Sequence, residues 1–550
     1  MAQPQQNVIF WGAGATAALG IRATQQQGKF IQCITGVLES QRGEPLRQRI
    51  AEALAPNGTL PWCSALLDLI TILGDREENY DHIGMINDEE RAAMRQNWPG
   101  ANSDNDLENR ILELRLLYDW PALKSVVQIC PGHGTDNKLK INDLFNILDM
   151  HAPLGFGVRA PASSKGQFFD ARRLSGAKNA LRMLLGAVFY IDYQECIRSK
   201  HRELEQYFNF ALRLGHRIQS HGVDLSHHSF QPNAPEFYRG DVCFVSLNYD
   251  PIALWIQFIA NREINKKPSV PHIGSPAVPL QIFHDFGHLI PARRIGQGKA
   301  DWPWYPMNEA VAQRLNEPTV SDARVRLTKF LFPHGCLCWR ECPDCGKLSA
   351  FHGDEWKLDD PRLFPPPPLH AFDQGAFPDW ITGDEREKRR KGEVDARACL
   401  HCGTLTYANH TQTVMQSSFK SQPPSFIEEI QRDLRATTMQ ATHIIFMGYS
   451  LPLDDVTYRA FFSARCQRKN DPVRCTVVNW STDNPDWYGP KELKTRSFQE
   501  DHPVKAAYDI FGEDNVRFYG GGIPNVFLDG GVVTDVALER LLNWYQTERT

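Results

Sequence analysis

The feature that most constrains the fold is an apolar run near the N-terminus that ends in two closely spaced glycines. Asn7–Trp11 leads directly into Gly-Ala-Gly-Ala-Thr at positions 12–16. A continuous apolar run bounded by glycines is typical of a strand buried on both faces, as in a parallel sheet covered by helices. The glycines permit a tight turn and a close approach of backbone to phosphate, and a following helix presents amide groups at its start. The run predicts a parallel α/β sheet, and its glycines indicate either nucleotide binding or a tight packing turn.

Further strand-like runs lie in the second half of the chain and alternate with helical segments. The strand-like runs are Val242–Ser246, His443–Gly448, Cys475–Asn479 and Val516–Gly520, and the helical segments are Pro424–Met439 and Asp455–Arg468. Strands that alternate with helices favour an open parallel sheet. The proline-containing stretch from Lys266 to Pro306 is poorly patterned, and no element is assigned to it.

The position of these strands determines the expected domain organisation. A chain of 550 residues would ordinarily divide into three or four domains of about 150 residues. Strands at both ends of the chain must share one sheet, so we expect a Rossmann-like domain built from residues 1–35, 236–335 and 413–550. Residues 36–235 are predicted to form a large helical insertion, and residues 336–412 a small zinc-ribbon lobe.

Composition and charge exclude several classes of protein. Sixty Lys and Arg against 65 Asp and Glu give a net charge of −5, which provides no general attraction to the phosphates of nucleic acid. No apolar run reaches the about 18 residues that a membrane span needs. The N-terminal residues lack the basic region of a secretory signal, and 13 cysteines is an odd number for a disulfide framework. We therefore expect a cytoplasmic protein.

Six of the cysteines lie close together, and four of them have the spacing of zinc ligands. Cys342 and Cys345, like Cys399 and Cys402, form a C-x-x-C-G pair. Two thiolates three residues apart bind one side of a tetrahedral Zn²⁺, and a second pair completes the site. The separation of the pairs exceeds the usual spacing of about 15–20 residues, so an insertion must lie between them. The alternative is reduced, unpaired cysteines in a loop; Cys336 and Cys338 are predicted to be packing residues.

Polar side chains follow two of the predicted strands. Ser246, Asn248 and Asp250 lie at the end of one buried strand, where ligands bind in parallel sheets. The Asn amide could hold a water or a ribose hydroxyl while the Asp fixes its geometry, or the segment could be an ordinary Asn-Asp turn. His334 leaves another apolar run and could act as a general base, although a lone histidine is more often structural. His284 and His288 are competitors with a less defined setting.

Two later strand ends complete the candidate site. Gly448 and Ser450 could approach a ribose or a phosphate, and Asp454 or Asp455 is expected to cap the next helix. Asn479 closes a further strand and is placed to contact an adenosine hydroxyl. No acidic residue ends a clear second strand about 20 residues after the first glycines, as a nicotinamide dehydrogenase would require, and this weighs against hydride transfer.

Taken in order, these motifs resemble those of the sirtuin superfamily, specifically the bacterial SIR2-like proteins. The segment at 12–16 is similar to the family's nucleotide loop, that at 246–250 to its Thr-x-Asn-x-Asp motif, and Phe-Pro-His-Gly at 332–335 to its catalytic histidine segment. Gly-Tyr-Ser-Leu-Pro at 448–452 is the form of the SIR2-like branch. The resemblance implies catalytic Asn248, His334 and Asp250, and NAD-binding Gly12, Ala13, Gly14, Thr16, Ser246, Gly448, Ser450 and Asn479. The chain departs from deacylases after Gly20 and Ile21, because the Phe-Arg pair that follows in those enzymes is absent.

The resemblance implies an NAD⁺ glycohydrolase that cleaves NAD⁺ to nicotinamide and ADP-ribose, as a gated effector that depletes NAD⁺ in anti-phage defence. An NAD-dependent protein deacylase or ADP-ribosyltransferase is the first alternative, and the zinc cysteines favour it. A module that senses NAD or ADP-ribose without catalysis is the second. By analogy, the helical region at 36–235 would mediate homo-oligomerisation or dock a partner such as a motor ATPase or an Argonaute-like protein.

Overall fold

The computed structural model describes residues 6–21, 103, 105, 118–133, 139, 141–151, 154–159, 168–221, 242–266, 281–285, 325–337, 339–341, 348–350, 425–453, 455–468, 471–481 and 485–544. Within these ranges, no helix is both long enough and apolar enough to cross a membrane.

The described residues form fourteen strands, eleven α-helices and two 3-10 helices. The strands are β1 (Asn7–Trp11), β2 (Val158–Arg159), β3 (Phe168–Phe169), β4 (Val242–Ser246), β5 (Gln281–Asp285), β6 (Val325–Leu331), β7 (Trp339–Glu341), β8 (Leu348–Ala350), β9 (His443–Met447), β10 (Arg474–Val478), β11 (Trp487–Tyr488), β12 (Val516–Tyr519), β13 (Leu528–Asp529) and β14 (Val532–Val533). The α-helices are α1 (Ala13–Ala17), α2 (Trp120–Ile129), α3 (Ile141–His151), α4 (Ala171–Ser199), α5 (His201–His221), α6 (Ile252–Lys266), α7 (Ser425–Gln440), α8 (Val456–Cys466), α9 (Pro490–Leu493), α10 (Pro503–Phe511) and α11 (Asp535–Leu542). The 3-10 helices are Glu513–Asn515 and Asn525–Phe527.

Eight of these strands form one central sheet in the order β11-β12-β10-β9-β1-β4-β6-β5. Seven are parallel to one another, and β11 pairs antiparallel with β12. The chain builds the sheet outward from β1 in two directions, first through β4 and later through β9. The order therefore reverses at β1, and the carboxyl ends of β1, β4 and β9 meet at that point. The predicted parallel α/β sheet is confirmed.

Helices cover both faces of this sheet. Alternate residues of a strand point to opposite faces, and on β1 the Trp11 ring lies 5.8 Å from Tyr207 of α5. Its neighbour Phe10 lies 4.9 Å from Phe462 of α8 on the other face. All five residues of β1 are buried. Burial on both faces explains why this strand is read in the sequence as one unbroken apolar run.

The helical segments within residues 118–221 pack onto the sheet rather than standing apart from it. Asp119 caps α2 by accepting from the Ala122 amide at 2.9 Å, and its carboxylate pairs with Arg173 of α4 at 2.7 Å. The Tyr207 hydroxyl of α5 donates to the Ala15 carbonyl. One continuous cluster of buried apolar residues includes these helices and the sheet. The described residues of this segment form α2, α3, α4 and α5, with the small β2–β3 pair in addition.

One strand lies where the sequence assigned no element. β5 falls inside the poorly patterned stretch from Lys266 to Pro306 and pairs with β6 at one side of the sheet. Three of its five residues, Gln281, His284 and Asp285, are polar. With three polar residues in five, β5 carries no continuous apolar run that could identify it.

Candidate functional site

The loop after β1 packs directly against the loop after β9. The amides of Gly12 and Gly14 donate to the carbonyls of Met447 and Gly448, both at 2.9 Å. A Cβ on Gly12 would lie 2.6 Å from the Gly448 oxygen, and a Cβ on Gly448 would lie 2.1 Å from the Ala15 nitrogen. Gly448 also has a φ of 62°, which only glycine adopts without strain. The contact between the two loops therefore requires these glycines, whatever else the loops bind.

Asn248 connects the end of β4 to the loop after β1, residues 12–16, which we call the glycine loop. Its Nδ2 group donates to the Gly12 carbonyl at 3.2 Å and to the Thr16 Oγ1 atom at 3.3 Å. Thr16 in turn donates to the Ala13 carbonyl at 3.3 Å. The side chain is 8% exposed, so it lies at the wall of the site with a fixed orientation. The structure thus brings Asn248 to Gly12 and Thr16, which precede it by more than 200 residues in sequence.

Asp250 lies two residues after Asn248 and is buried. Its Oδ1 atom accepts from the Ile252 amide at 3.2 Å, at the start of α6. Burial raises the pKa of the Asp250 carboxyl to about 6, and hydrogen bonds from the Ile252 amide and the Asn248 side chain oppose the rise. A carboxyl group with such a pKa can hold or release a proton near neutral pH. Asp250 therefore combines a positioning contact to Asn248 with proton-transfer capacity.

His334 reaches the site from the turn that follows β6. The turn is closed by the Gly335 amide, which donates to the Phe332 carbonyl at 2.9 Å. The His334 Nδ1 atom lies 3.2 Å from the Leu247 carbonyl, and a carbonyl can only accept. Nδ1 therefore carries a proton, and in the neutral ring Nε2 is the basic nitrogen. The ring is fully buried and lies edge-on to Tyr458 at 5.3 Å.

Two buried polar atoms lie side by side at the ends of β1 and β4. Trp11 and Ser246 are register partners in the parallel sheet. Within the described residues, neither Trp11 Nε1 nor Ser246 Oγ has a hydrogen-bond partner. Buried polar groups are nearly always satisfied in native proteins, so the partners of these two atoms are water, a ligand or residues outside the described ranges. Ser246 was predicted from sequence; Trp11 was read only as a core residue.

The loop that follows Gly448 is strained and supported by an unexpected contact. Leu451 has a φ of 53°, which is uncommon for a residue with a branched side chain. Ser450 is half-buried. Of the two residues expected to cap α8, Asp455 occupies the N-cap position, but its side chain makes no capping hydrogen bond. Its carboxylate instead accepts from the Tyr449 hydroxyl at 2.7 Å. Asp454 lies outside the described residues.

Asn479 lies at the end of β10, on the same side of the sheet as the other strand ends. Its Oδ1 atom accepts from the Trp480 amide at 2.9 Å. Its backbone is fixed by Tyr519 and Gly522, at 3.1 Å each. The side chain is half-buried and Trp480 beside it is 71% exposed. The residue is thus available at the surface, two strands away from β1.

The four predicted zinc ligands, Cys342, Cys345, Cys399 and Cys402, lie outside the described residues. Among the residues that are described, no group of three or more His, Cys, Asp and Glu side chains could hold a metal. Cys336 is fully buried, as expected for a packing residue. His284 lies in β5, and His288 is not among the described residues.

Tyr207 is a contributor to the site that sequence reasoning missed. Its hydroxyl holds the Ala15 carbonyl of the glycine loop from the far side. Burial raises the pKa of Tyr207 well above its usual value, so the hydroxyl remains a donor. Tyr207 belongs to a helix with an ordinary apolar period, and nothing in the sequence distinguishes it from a core residue.

No protein-family profile matches the sequence, and a comparison with curated proteins finds no significant match.

Proposed function

We propose that the chain is a SIR2-like NAD⁺ glycohydrolase. The observation that carries the proposal is the convergence of the glycine loop, Asn248 and Gly448 where the order of the parallel strands reverses at β1. Ligands of open α/β sheets bind outside the carboxyl ends of the strands at such a reversal. The sheet is accordingly taken as a Rossmann-like domain. The motifs shared with SIR2-like proteins supply the identity of the dinucleotide.

The residues at this position suit hydrolysis of the bond between nicotinamide and ribose. Water attacks the anomeric carbon, the carbon–nitrogen bond breaks with its electron pair, and nicotinamide leaves. Asn248 would position the water, and Asp250, whose pKa is about 6, would orient Asn248 and share the released proton. His334 would accept a proton at Nε2 from the water or the ribose hydroxyl. The products are nicotinamide, ADP-ribose and one proton.

A structural zinc site remains part of the proposal. β7 ends at Glu341, β8 begins at Leu348, and these two residues pair in an antiparallel hairpin. The first C-x-x-C-G pair therefore lies in the chain segment between two paired strands, as the knuckle of a zinc ribbon does. Cys342, Cys345, Cys399 and Cys402 would hold the ion, whose contribution is to fold the lobe. Elemental analysis of fresh protein should find about one equivalent of zinc, and less than about half an equivalent would contradict the site.

The direct experiment is to incubate the purified chain with NAD⁺ alone. We expect nicotinamide and ADP-ribose to appear without any peptide, and Asn248→Ala and His334→Ala each to lower the rate by about 100-fold or more. His201→Ala is the matched control, because His201 is an exposed residue at the start of α5. Cleavage that needs an acylated peptide would instead identify a deacylase. Hydrolysis that survives both site variants would refute the assigned residues.

A second candidate, binding of NAD or ADP-ribose without turnover, is favoured by one observation. Asn248 and His334 both hydrogen-bond to the chain's own backbone, through the Gly12 and Leu247 carbonyls. Calorimetric binding of NAD⁺ with no nicotinamide produced would favour this candidate. A role in phage defence, with a homo-oligomer, a motor ATPase or an Argonaute-like protein as partner, follows only from the resemblance.

A further inference from the structure

The turn that carries His334 is held on one side by the segment that follows β4. The His334 Nδ1 atom lies 3.2 Å from the Leu247 carbonyl, and the Leu337 amide donates to the Tyr249 carbonyl at 2.9 Å. Gly335, directly after the histidine, has a φ of 78°, a left-handed conformation that glycine adopts without strain. The histidine therefore lies in a short irregular turn, and contacts from other segments determine the orientation of that turn.

Helix α7 holds the same turn through Gln431, which has no role in the hydrolysis proposed above. The Gln431 Nε2 group donates to the Pro333 carbonyl at 3.1 Å. That carbonyl carbon is bonded to the backbone nitrogen of His334, and the peptide unit that joins the two residues is planar. The hydrogen bond therefore fixes the plane from which the His334 Cα atom, and with it the imidazole, projects.

Helix α7 is a firm support for this contact because it is anchored to β6 four residues before Pro333. Lys329 of β6 forms an ion pair with Asp433 of α7, with 3.3 Å between Nζ and Oδ2. The Lys329 side chain is 5% exposed and that of Asp433 is fully buried. Three apolar residues of the same helix are also fully buried in the core: Ile427, Ile430 and Leu434. Gln431 is therefore carried by a helix that is tightly attached to the strand before the histidine.

Helix α7 also leads into one of the two loops that form the candidate site. It ends at Gln440 and is followed by β9 and then by Gly448, whose carbonyl accepts from the Gly14 amide at 2.9 Å. One helix thus connects the turn that carries His334 to the contact that shapes the glycine loop. A test of Gln431 therefore needs a control elsewhere on the same helix.

We propose that Gln431 is a positioning residue for His334: it holds the peptide between Pro333 and His334 so that the imidazole keeps its contact with the Leu247 carbonyl. That contact keeps the proton on Nδ1 and leaves Nε2 as the basic nitrogen. The inference rests on the proposed function for the part that His334 plays in hydrolysis. The placement of the ring is a property of the folded chain, and it can be measured without turnover.

Hydrolysis of NAD⁺ by Gln431→Met tests the role, because methionine matches glutamine in length but donates no hydrogen bond. We expect kcat to fall by about tenfold, since a displaced general base is less effective, and KM to change by less than about twofold. Gln431→Lys restores a donor and should recover most of the lost kcat. Gln440→Met is the matched control: it makes the same change at an exposed position of the same helix and should leave kcat and KM unchanged.

Imidazole nitrogen NMR of the full chain, labelled at histidine, tests the same role without catalysis. The signals of His334 are those that disappear in His334→Ala. In the unmodified chain they should show a neutral ring with its proton on Nδ1. In Gln431→Met they should shift towards an average of the two neutral forms, because the ring no longer keeps its contact with the Leu247 carbonyl. In Gln440→Met they should not move.

Unchanged His334 signals in Gln431→Met would overturn the proposal, whatever happens to the rate, and so would an equal shift in Gln440→Met. A loss of kcat that Gln431→Lys does not recover would also contradict it. If Gln431→Met does not fold by circular dichroism, Gln431→Glu gives the same comparison, since it keeps the shape and cannot donate when ionised. If the unmodified chain does not hydrolyse NAD⁺, a shift of the His334 signals in Gln431→Met alone would support the positioning contact and refute the glycohydrolase.

Discussion

Polar residues lie at both ends of the parallel sheet, but their hydrogen bonding differs between the two ends. At the amino ends of the strands, His443, Thr476 and Arg517 satisfy one another and hold the C-terminal helix. At the carboxyl ends, Trp11 and Ser246 keep polar atoms without a partner among the described residues. Histidine and hydroxyl groups alone therefore do not mark a functional site.

The network at the amino ends can be assigned bond by bond. The His443 Nδ1 group lies 3.0 Å from Asn7 Oδ1 and 3.2 Å from the Leu542 carbonyl, and the Thr476 hydroxyl lies 2.7 Å from Nε2. Burial and the charge of Arg517 lower the pKa of His443 well below its usual value, so the ring is neutral. Nδ1 then carries the proton, Thr476 donates to Nε2, and Arg517 Nε donates to Thr476 at 2.7 Å.

The carboxyl ends differ because their contacts leave some groups unsatisfied and some backbone strained. Gly448 and Leu451 have positive φ angles, and Asp250 is a buried carboxyl with a raised pKa. Backbone strain of this kind clusters at binding and catalytic sites. The comparison therefore separates the end of the sheet whose polar groups satisfy one another from the end at which the proposed site lies.

The largest effect is expected at the amino ends, from Arg517→Met. Arg517 donates to the carbonyls of Arg540 and Leu541 at 2.9 and 2.8 Å and to Thr476. Its loss leaves several buried acceptors unsatisfied, which should lower the free energy of unfolding by at least about 3 kcal/mol, as measured with urea. Lys494→Gln, at an exposed ion pair with Asp514, is the control and should cause no measurable change. An equal loss of stability in Arg517→Met and Lys494→Gln would contradict the structural role assigned to the buried Arg517 network.

The next effect is a pH dependence at the carboxyl ends. The pKa of Asp250 is about 6 in the folded chain against an ordinary 3.8, so the folded state binds this proton more tightly. Its stabilising contribution is present below pH 4 and is lost as the pH rises to about 6. Asp250→Asn cannot ionise, so between pH 4.5 and 7.5 its stability relative to the unmodified chain should rise by about 2 kcal/mol. A constant difference over this range would show that the carboxyl is not perturbed.

The smallest effects come from a matched pair of hydroxyl deletions. Thr476→Val removes a hydroxyl that bonds both His443 and Arg517, and should lower the free energy of unfolding by about 1–2 kcal/mol. Ser246→Ala removes a buried hydroxyl without a partner in the described residues, and should change it by less than about 0.5 kcal/mol. Under the proposed function, Ser246→Ala instead weakens NAD⁺ binding. Equal destabilisation by the two deletions would remove the contrast between the ends.

The sequence predicted inner strands of the sheet and missed both strands at its borders, β5 and β11. Apolar runs identified β1, β4, β9, β10 and β12, and helical spacing placed α7 within one residue of its observed ends. β5 was missed because three of its five residues are polar. The positions of Asn248, His334 and Gly448 followed from their strand ends. The contribution of Tyr207 did not, because it depends on how α5 packs against a segment far away in sequence.

The central position of β1 has a consequence for how the protein is made. β1 is synthesised before the other strands of the sheet, yet one of its two neighbours, β9, follows more than 400 residues later, and the Gln6 amide contacts Thr442 across a separation of 436 residues. Until that segment emerges, the glycine loop has no Gly448 to pack against. A nascent chain stalled before residue 443 already contains Asn248 and His334 but lacks the loop that supports them. The order of translation itself therefore delays assembly of the site until the last strands of the sheet have been synthesised.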